Sequence, residues 1–236
     1  MCYTFPVRPI VGKAKPFEKA MVLMFSFLSP DSKFMQVVSR FTDLVVLNLL
    51  FLITCLPVFT IGAANAALCS QCFGILRSRE GSIARGYFRA FRENFKQGTT
   101  LWLLMLFVCL PGLVYFDTFF TMEGPLRYLF VVFFTVVVLA LFVGSYAFPW
   151  ISQFANDTPT VLRNALILSL GNLPRTIAVC AMNLLPWALL LLKPELFVQV
   201  SFLWFALYFA AAAYLNTAIL WKVFKPYYPP EETEKA

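Results

Sequence analysis

Four asparagines stand inside otherwise apolar stretches of this chain: Asn48, Asn65, Asn183 and Asn216. An amide surrounded by hydrocarbon has no water to satisfy it, so it must find a protein or ligand partner. Two chemistries follow. The amides can bond neighbouring helices together, each bond contributing about 0.6–2 kcal/mol. Alternatively they can line a polar cavity for a small hydroxylated ligand. Asn48 and Asn183 fall at mid-depth of their stretches, Asn65 in an outer part and Asn216 in an inner third.

Other reactive constellations are thin. The chain has no histidine, which removes Ser-His-Asp and Cys-His nucleophile systems and the imidazole-dependent zinc and haem sites. Cys69 and Cys72 have the CxxC spacing of thiol exchange, but no activating cation lies within their apolar segment. Six cysteines scattered through such segments read as small buried hydrophobes. No Walker A pattern occurs, so the chain does not energise transport as a P-loop ATPase. No enzyme activity, metal or cofactor is expected.

A second constellation is basic. Arg85, Arg89, Arg92 and Lys96 recur at i, i+4, i+7 and i+11. Ala84, Phe88, Phe91 and Phe95 have the same spacing one residue earlier, with Tyr87 beside them. One residue is about 100° around a helix, so Ser82–Lys96 is predicted to be amphipathic. Its aromatic stripe would sink into a membrane interface and its cations would meet anionic headgroups. Docking to a cytoplasmic partner is the other use of such a face. Asp43 is the one carboxylate placed within a span; Arg40, three residues earlier, is its expected local partner, with Arg85 or Arg89 as alternatives.

The elements that must position these residues are membrane spans. Charge-free stretches run over 44–76, 97–116, 128–156, 176–192 and 196–221. Crossing a hydrocarbon core takes about 20 helical residues. The composition agrees: 60% hydrophobic, 13% charged, mean hydropathy +0.76, where soluble domains carry roughly 25% charged residues. The expected fold is an all-α polytopic bundle of about six spans: 34–56, 60–76, 99–116, 128–150, 176–192 and 196–221. One or two interfacial amphipathic helices accompany them, the second over 158–173. Pro57 ends the first span. The small residues of 61–67 let backbones approach closely, which puts the second span inside the bundle, with a re-entrant hairpin as the alternative.

With the N-terminus in the cytoplasm, every basic residue except Arg127 and Lys193 falls on the inner side. That bias is the positive-inside rule. It accounts for a net charge of +7 without nucleic acid and places both termini in the cytoplasm of a plasma-membrane protein. Residues 1–30, with Pro6, Pro9 and Pro16 and no apolar h-region, read as a poorly ordered leader or a mis-assigned start. Residues 31–222 form the transmembrane domain, and 223–236 a solvated cytoplasmic tail. A short repeat, Asn94–Thr99 before the third span and Asn172–Thr176 before the fifth, suggests two halves each built as span, surface helix, span.

Several stretches resemble the YesL-like family of bacterial membrane proteins. They are 29–34, 43–52 and 56–63, then Gly81, the run 88–97 and the closing Phe224-Lys225-Pro226-Tyr227. The resemblance covers about 26–228 and is specific in its first hundred positions. Cys69 departs from it, standing where an aromatic residue is expected. What the resemblance implies is a domain of unknown function, often accompanying carbohydrate-uptake systems. It would be a non-enzymatic accessory near an ABC-type sugar importer subunit, with homo-oligomerisation open. The alternative is a small solute permease or channel built on the asparagine cavity.

Overall fold

The computed structural model describes residues 33–77, 81–114 and 128–228. The proposed leader and the outer loop between the third and fourth spans lie outside the described residues. The chain divides into two units, Met1–Thr42 and Asp43–Ala236. In the first, the Thr42 hydroxyl donates to the Val38 carbonyl one turn earlier, at 2.9 Å. The second holds the bundle.

Among the described residues every regular element is helical. Helix α1 (Lys33–Thr54) stops before Pro57, which has no N–H to continue the ladder. A 3-10 turn, Val58–Thr60, follows. The Thr60 hydroxyl closes it on the carbonyls of Thr54, at 2.5 Å, and Pro57, at 2.6 Å. Helix α2 (Ile61–Leu76) leads to Gly81, whose φ of 151° suits a residue without a Cβ. Then come α3 (Ile83–Val114), α4 (Tyr128–Ile151), α5 (Thr158–Gly171), α6 (Leu173–Leu192) and α7 (Pro194–Gln199). The last span starts at Ser201–Leu203, widens into a π-helical turn at Trp204–Tyr208 and continues as α8 (Phe209–Phe224).

Among the described residues, five stretches are long and apolar enough to cross a membrane: Met35–Thr54, Val58–Leu76, Phe130–Ile151, Leu173–Leu192 and Ser201–Tyr227. The all-α membrane bundle is therefore as expected. The small-residue span is also where expected, being 61% buried against 39% for the next most buried. Its packing rests on glycine. A Cβ on Gly62 would run into the Gly98 backbone, and one on Gly98 would lie 2.9 Å from Ala63 Cα.

That crossing changes the third span. The sequence separates a surface helix (82–96) from a span beginning at Thr99, whereas the structure runs both as one helix, Ile83–Val114. At 1.5 Å per residue its 32 residues extend about 48 Å. Gly98 does not break α3; it is the point where α2 sits against it. The edge of α3 that meets the bundle is Tyr87, Ala90, Gly98 and Leu101, all buried. Phe88 and Phe95, of the stripe expected at the membrane interface, are 51% and 38% exposed, whereas Tyr87, expected beside them, is buried. The second half keeps its break: Pro174 stands where the first half has Lys96, and α5 and α6 part at Asn172. The two halves are thus built differently.

An aromatic cluster closes one end of the bundle. Phe224 stacks on Phe73 at 6.0 Å and meets Trp150 edge-on at 5.3 Å. Arg77, only 9% exposed, lies over the rings of Tyr228, at 4.1 Å, and Trp221, at 4.6 Å. Gln153 Oε1 accepts from both Arg77 Nη2 (3.1 Å) and Tyr228 Oη (3.0 Å). Phe224 and Tyr228, expected in a solvated tail, are instead buried, because their rings complete this cluster.

Candidate functional site

The four asparagines separate into two roles. Asn48 is fully buried and belongs to the π-helical turn. Such a turn takes backbone groups out of the ordinary i→i−4 ladder. The Asn48 amide reaches this turn: Nδ2 donates to the carbonyls of Phe205 (2.6 Å) and Trp204 (3.4 Å), and Oδ1 accepts from the Ala210 N–H (3.0 Å). Both ends of the amide are used, so Asn48 is structural.

Asn65, Asn183 and Asn216 converge elsewhere, on a cavity of about 290 Å³. Five helical segments line it. Helix α2 gives Asn65 and Cys69, and α3 gives Trp102 and Met105. Helix α4 supplies Leu141, Gly144, Ser145 and Phe148; α6 supplies Cys180, Asn183, Leu184 and Trp187. The last span contributes Tyr208, Ala212 and Asn216. Gly144 makes room, since a Cβ there would meet the end of Met105.

No lining residue is charged. Most of its polar groups are already engaged. Ser145 Oγ donates to the Leu141 carbonyl (2.9 Å) and lies 3.3 Å from Cys180 Sγ. Tyr208 Oη donates to the Met182 carbonyl (2.5 Å). Trp102 Nε1 donates to the Val58 carbonyl (2.8 Å), so this indole offers the cavity its ring. Cys69 Sγ points to Asn65 Oδ1 at 3.6 Å. Its CxxC neighbour Cys72 turns to the Ala210 carbonyl instead, and both thiols are free.

The buried open valence lies in one pair. Asn216 Nδ2 donates to Asn183 Oδ1 at 2.8 Å. Asn216 Oδ1 is buried and has no partner. A singly bonded pair of amides always keeps at least one free donor and one free acceptor, whichever way the pair is turned. The arrangement can therefore bind a neutral group that both donates and accepts, which is what a hydroxyl does.

Residues 44–118 match a family described as a protein of unknown function, DUF624. The YesL-like resemblance is thus supported over α1, the α2–α3 hairpin and the segment just beyond it. No curated protein and no solved structure matches the chain. The match to DUF624 covers Asn48 and Asn65 but ends before Asn183 and Asn216, so the amide pair is argued from geometry alone.

The basic residues do not join the cavity. Arg85 and Arg89 border a groove of about 450 Å³ with Ser70, Gln71 and Ser82. Arg92 faces another groove with Phe88, Phe91 and Phe95. Among the described residues, Asp43 forms no ion pair with Arg85 or Arg89.

Sequence reasoning missed Ser145, Cys180, Tyr208 and both tryptophans of the cavity wall. Ser145 could have been found as a lone hydroxyl between Gly144 and Tyr146 in an apolar run. Nothing in the pattern signals the π-helical turn that leads into Tyr208 and Phe209.

Proposed function

We propose that this is a non-enzymatic membrane component that binds a small, uncharged, hydroxylated ligand between its helices. The observation that carries the reading is the unpartnered Asn216 Oδ1, buried at an uncharged cavity beside a second, half-used amide. A buried acceptor without a donor costs about 1–3 kcal/mol, and a bound hydroxyl relieves that cost.

The family resemblance supports an accessory role in carbohydrate uptake, and the distribution of basic residues supports a plasma-membrane placement with both termini cytoplasmic. On this reading Arg85, Arg89, Arg92 and Lys96 rest against anionic headgroups, with Phe88 and Phe95 at the interface. The adjoining face is available to an ABC-type importer subunit. Light cross-linking in the native membrane, purification and mass spectrometry test the partner. A stoichiometric importer subunit supports the accessory role; a clean homo-oligomer overturns it. The cavity itself favours a second reading, a small solute permease. Sugar flux into liposomes holding this protein alone would select it. For the orientation, a reporter fused at Glu80 should be cytoplasmic and one at Glu123 extracellular.

A further inference from the structure

The cavity holds a few amide and hydroxyl groups in a mostly apolar lining, and its rim is apolar. Leu141, Leu184 and Trp187 line it while standing 38%, 42% and 64% exposed on the outer surface of α4 and α6. Both helices are apolar enough to span a membrane, so the medium against that surface is hydrocarbon. Asn183 is itself exposed in this otherwise apolar span, next to Leu184 at the rim. Its amide partner Asn216 is 7% exposed and lies behind it, with the free acceptor. A free polar solute would have to leave water and cross the apolar rim to reach these amides, at the cost of its hydration.

We propose that the ligand is an uncharged, hydroxyl-bearing amphiphile that enters sideways from the bilayer. Its hydroxylated head donates to Asn216 Oδ1 and accepts from Asn183 Nδ2, while its chain stays in lipid along Leu184 and Trp187. The absence of charge in the lining excludes an ionised head, whose desolvation nothing in the cavity would offset. A cavity of about 290 Å³ takes a head of glycerol or single-sugar size but not a whole lipid. This inference rests on the reading of the cavity as a ligand site and adds the ligand's class and its route.

The test uses the full chain in phosphatidylcholine nanodiscs, with native mass spectrometry counting retained molecules. The probes are 1-oleoylglycerol, oleate and glucose. One 1-oleoylglycerol per chain is expected, with oleate and glucose not retained. Asn216→Leu should weaken 1-oleoylglycerol retention by at least about tenfold, the size expected from one lost buried hydrogen bond. Leu184→Trp, which narrows the rim and leaves the amides intact, should do the same; its melting temperature reports that the bundle persists. Glucose retention alone would overturn the lateral route while upholding a hydroxyl site. Equal retention of oleate, or retention of 1-oleoylglycerol unchanged in both variants, would show mere filling of an apolar groove. Retention of neither glucose nor 1-oleoylglycerol would remove the ligand site itself.

Discussion

Asn48→Leu should destabilise the bundle far more than the same change at Asn216. The wild-type amide satisfies the Phe205 carbonyl at 2.6 Å and the Ala210 N–H at 3.0 Å, and touches the Trp204 carbonyl at 3.4 Å. Leucine removes all three contacts. A buried backbone group that loses its partner costs about 1–3 kcal/mol in a protein interior. Interhelical bonds measured in membranes are weaker, averaging about 0.6 kcal/mol, because the unfolded chain in lipid also finds partners. Backbone groups released from a π-helical turn have few alternatives, so we expect about 2–4 kcal/mol in total. That is roughly a 30- to 700-fold shift in the folded-to-unfolded ratio. At Asn216 only one bond is lost, to Asn183 at 2.8 Å, and an unsatisfied acceptor disappears with it; the net change should lie within about 1 kcal/mol. Reversible unfolding in mixed micelles, followed by circular dichroism, measures both. An Asn48→Leu variant within about 0.5 kcal/mol of wild type would refute the assignment of Asn48 to structure.

Three further outcomes are expected. Gly98→Ala should cost about 1–3 kcal/mol, because the new Cβ would lie 2.9 Å from Ala63 Cα, where the neighbour is backbone and cannot turn aside; a lowered melting temperature in detergent checks it, and Gly171→Ala, which meets nothing within 4 Å, is the control. Tyr228→Ala should loosen the end of α8, since it removes the ring over Arg77 and one of the two donors to Gln153; faster proteolysis near the C-terminus would show it, and an unchanged rate would refute it. Tyr87→Phe should cost about 0.5–1.5 kcal/mol by removing the 2.6 Å bond between its hydroxyl and Thr54, and a melting temperature equal to that of the wild type would refute it.

The spans were legible because hydropathy is a bulk property, and twenty apolar residues in a row leave the chain little choice. Burial of 61–67 was legible for a local reason: small side chains permit close approach. Helix ends near glycine were not. Gly98 followed by two threonines resembles a boundary, yet a glycine in a membrane helix can as well be the seat of a crossing, and which applies depends on the neighbouring helix. The inward edge of α3 was not legible for a related reason: the face that packs against α2 is the small one, Ala90 and Gly98, with Tyr87 reaching across, and the large aromatic residues that draw the eye lie elsewhere on the helix. Arg77 was read as one more inner-side charge, because a cation's aromatic cage is assembled from rings 144 and 151 positions away, at Trp221 and Tyr228.

The asparagines show how far a residue type can carry an argument. All four answered to the same rule, that an amide in hydrocarbon needs partners, and the rule cannot tell a partner in the protein from one in a ligand. Counting valences can. Asn48 has its carbonyl and its amino group both engaged, and Asn65 Oδ1 faces a thiol. Asn183 and Asn216 spend one bond on each other. The two roles are also joined through the chain. Asn48 holds the π-helical turn, and that turn ends at Tyr208 and Phe209, which form part of the cavity wall. A second change, Asn48→Ala, removes the donors to Phe205 and Trp204 and the acceptor for the Ala210 N–H without adding bulk. It should weaken 1-oleoylglycerol retention as well as stability, although Asn48 does not touch the cavity. Retention that stays at the wild-type level while stability falls would mean that the turn and the cavity wall are independent.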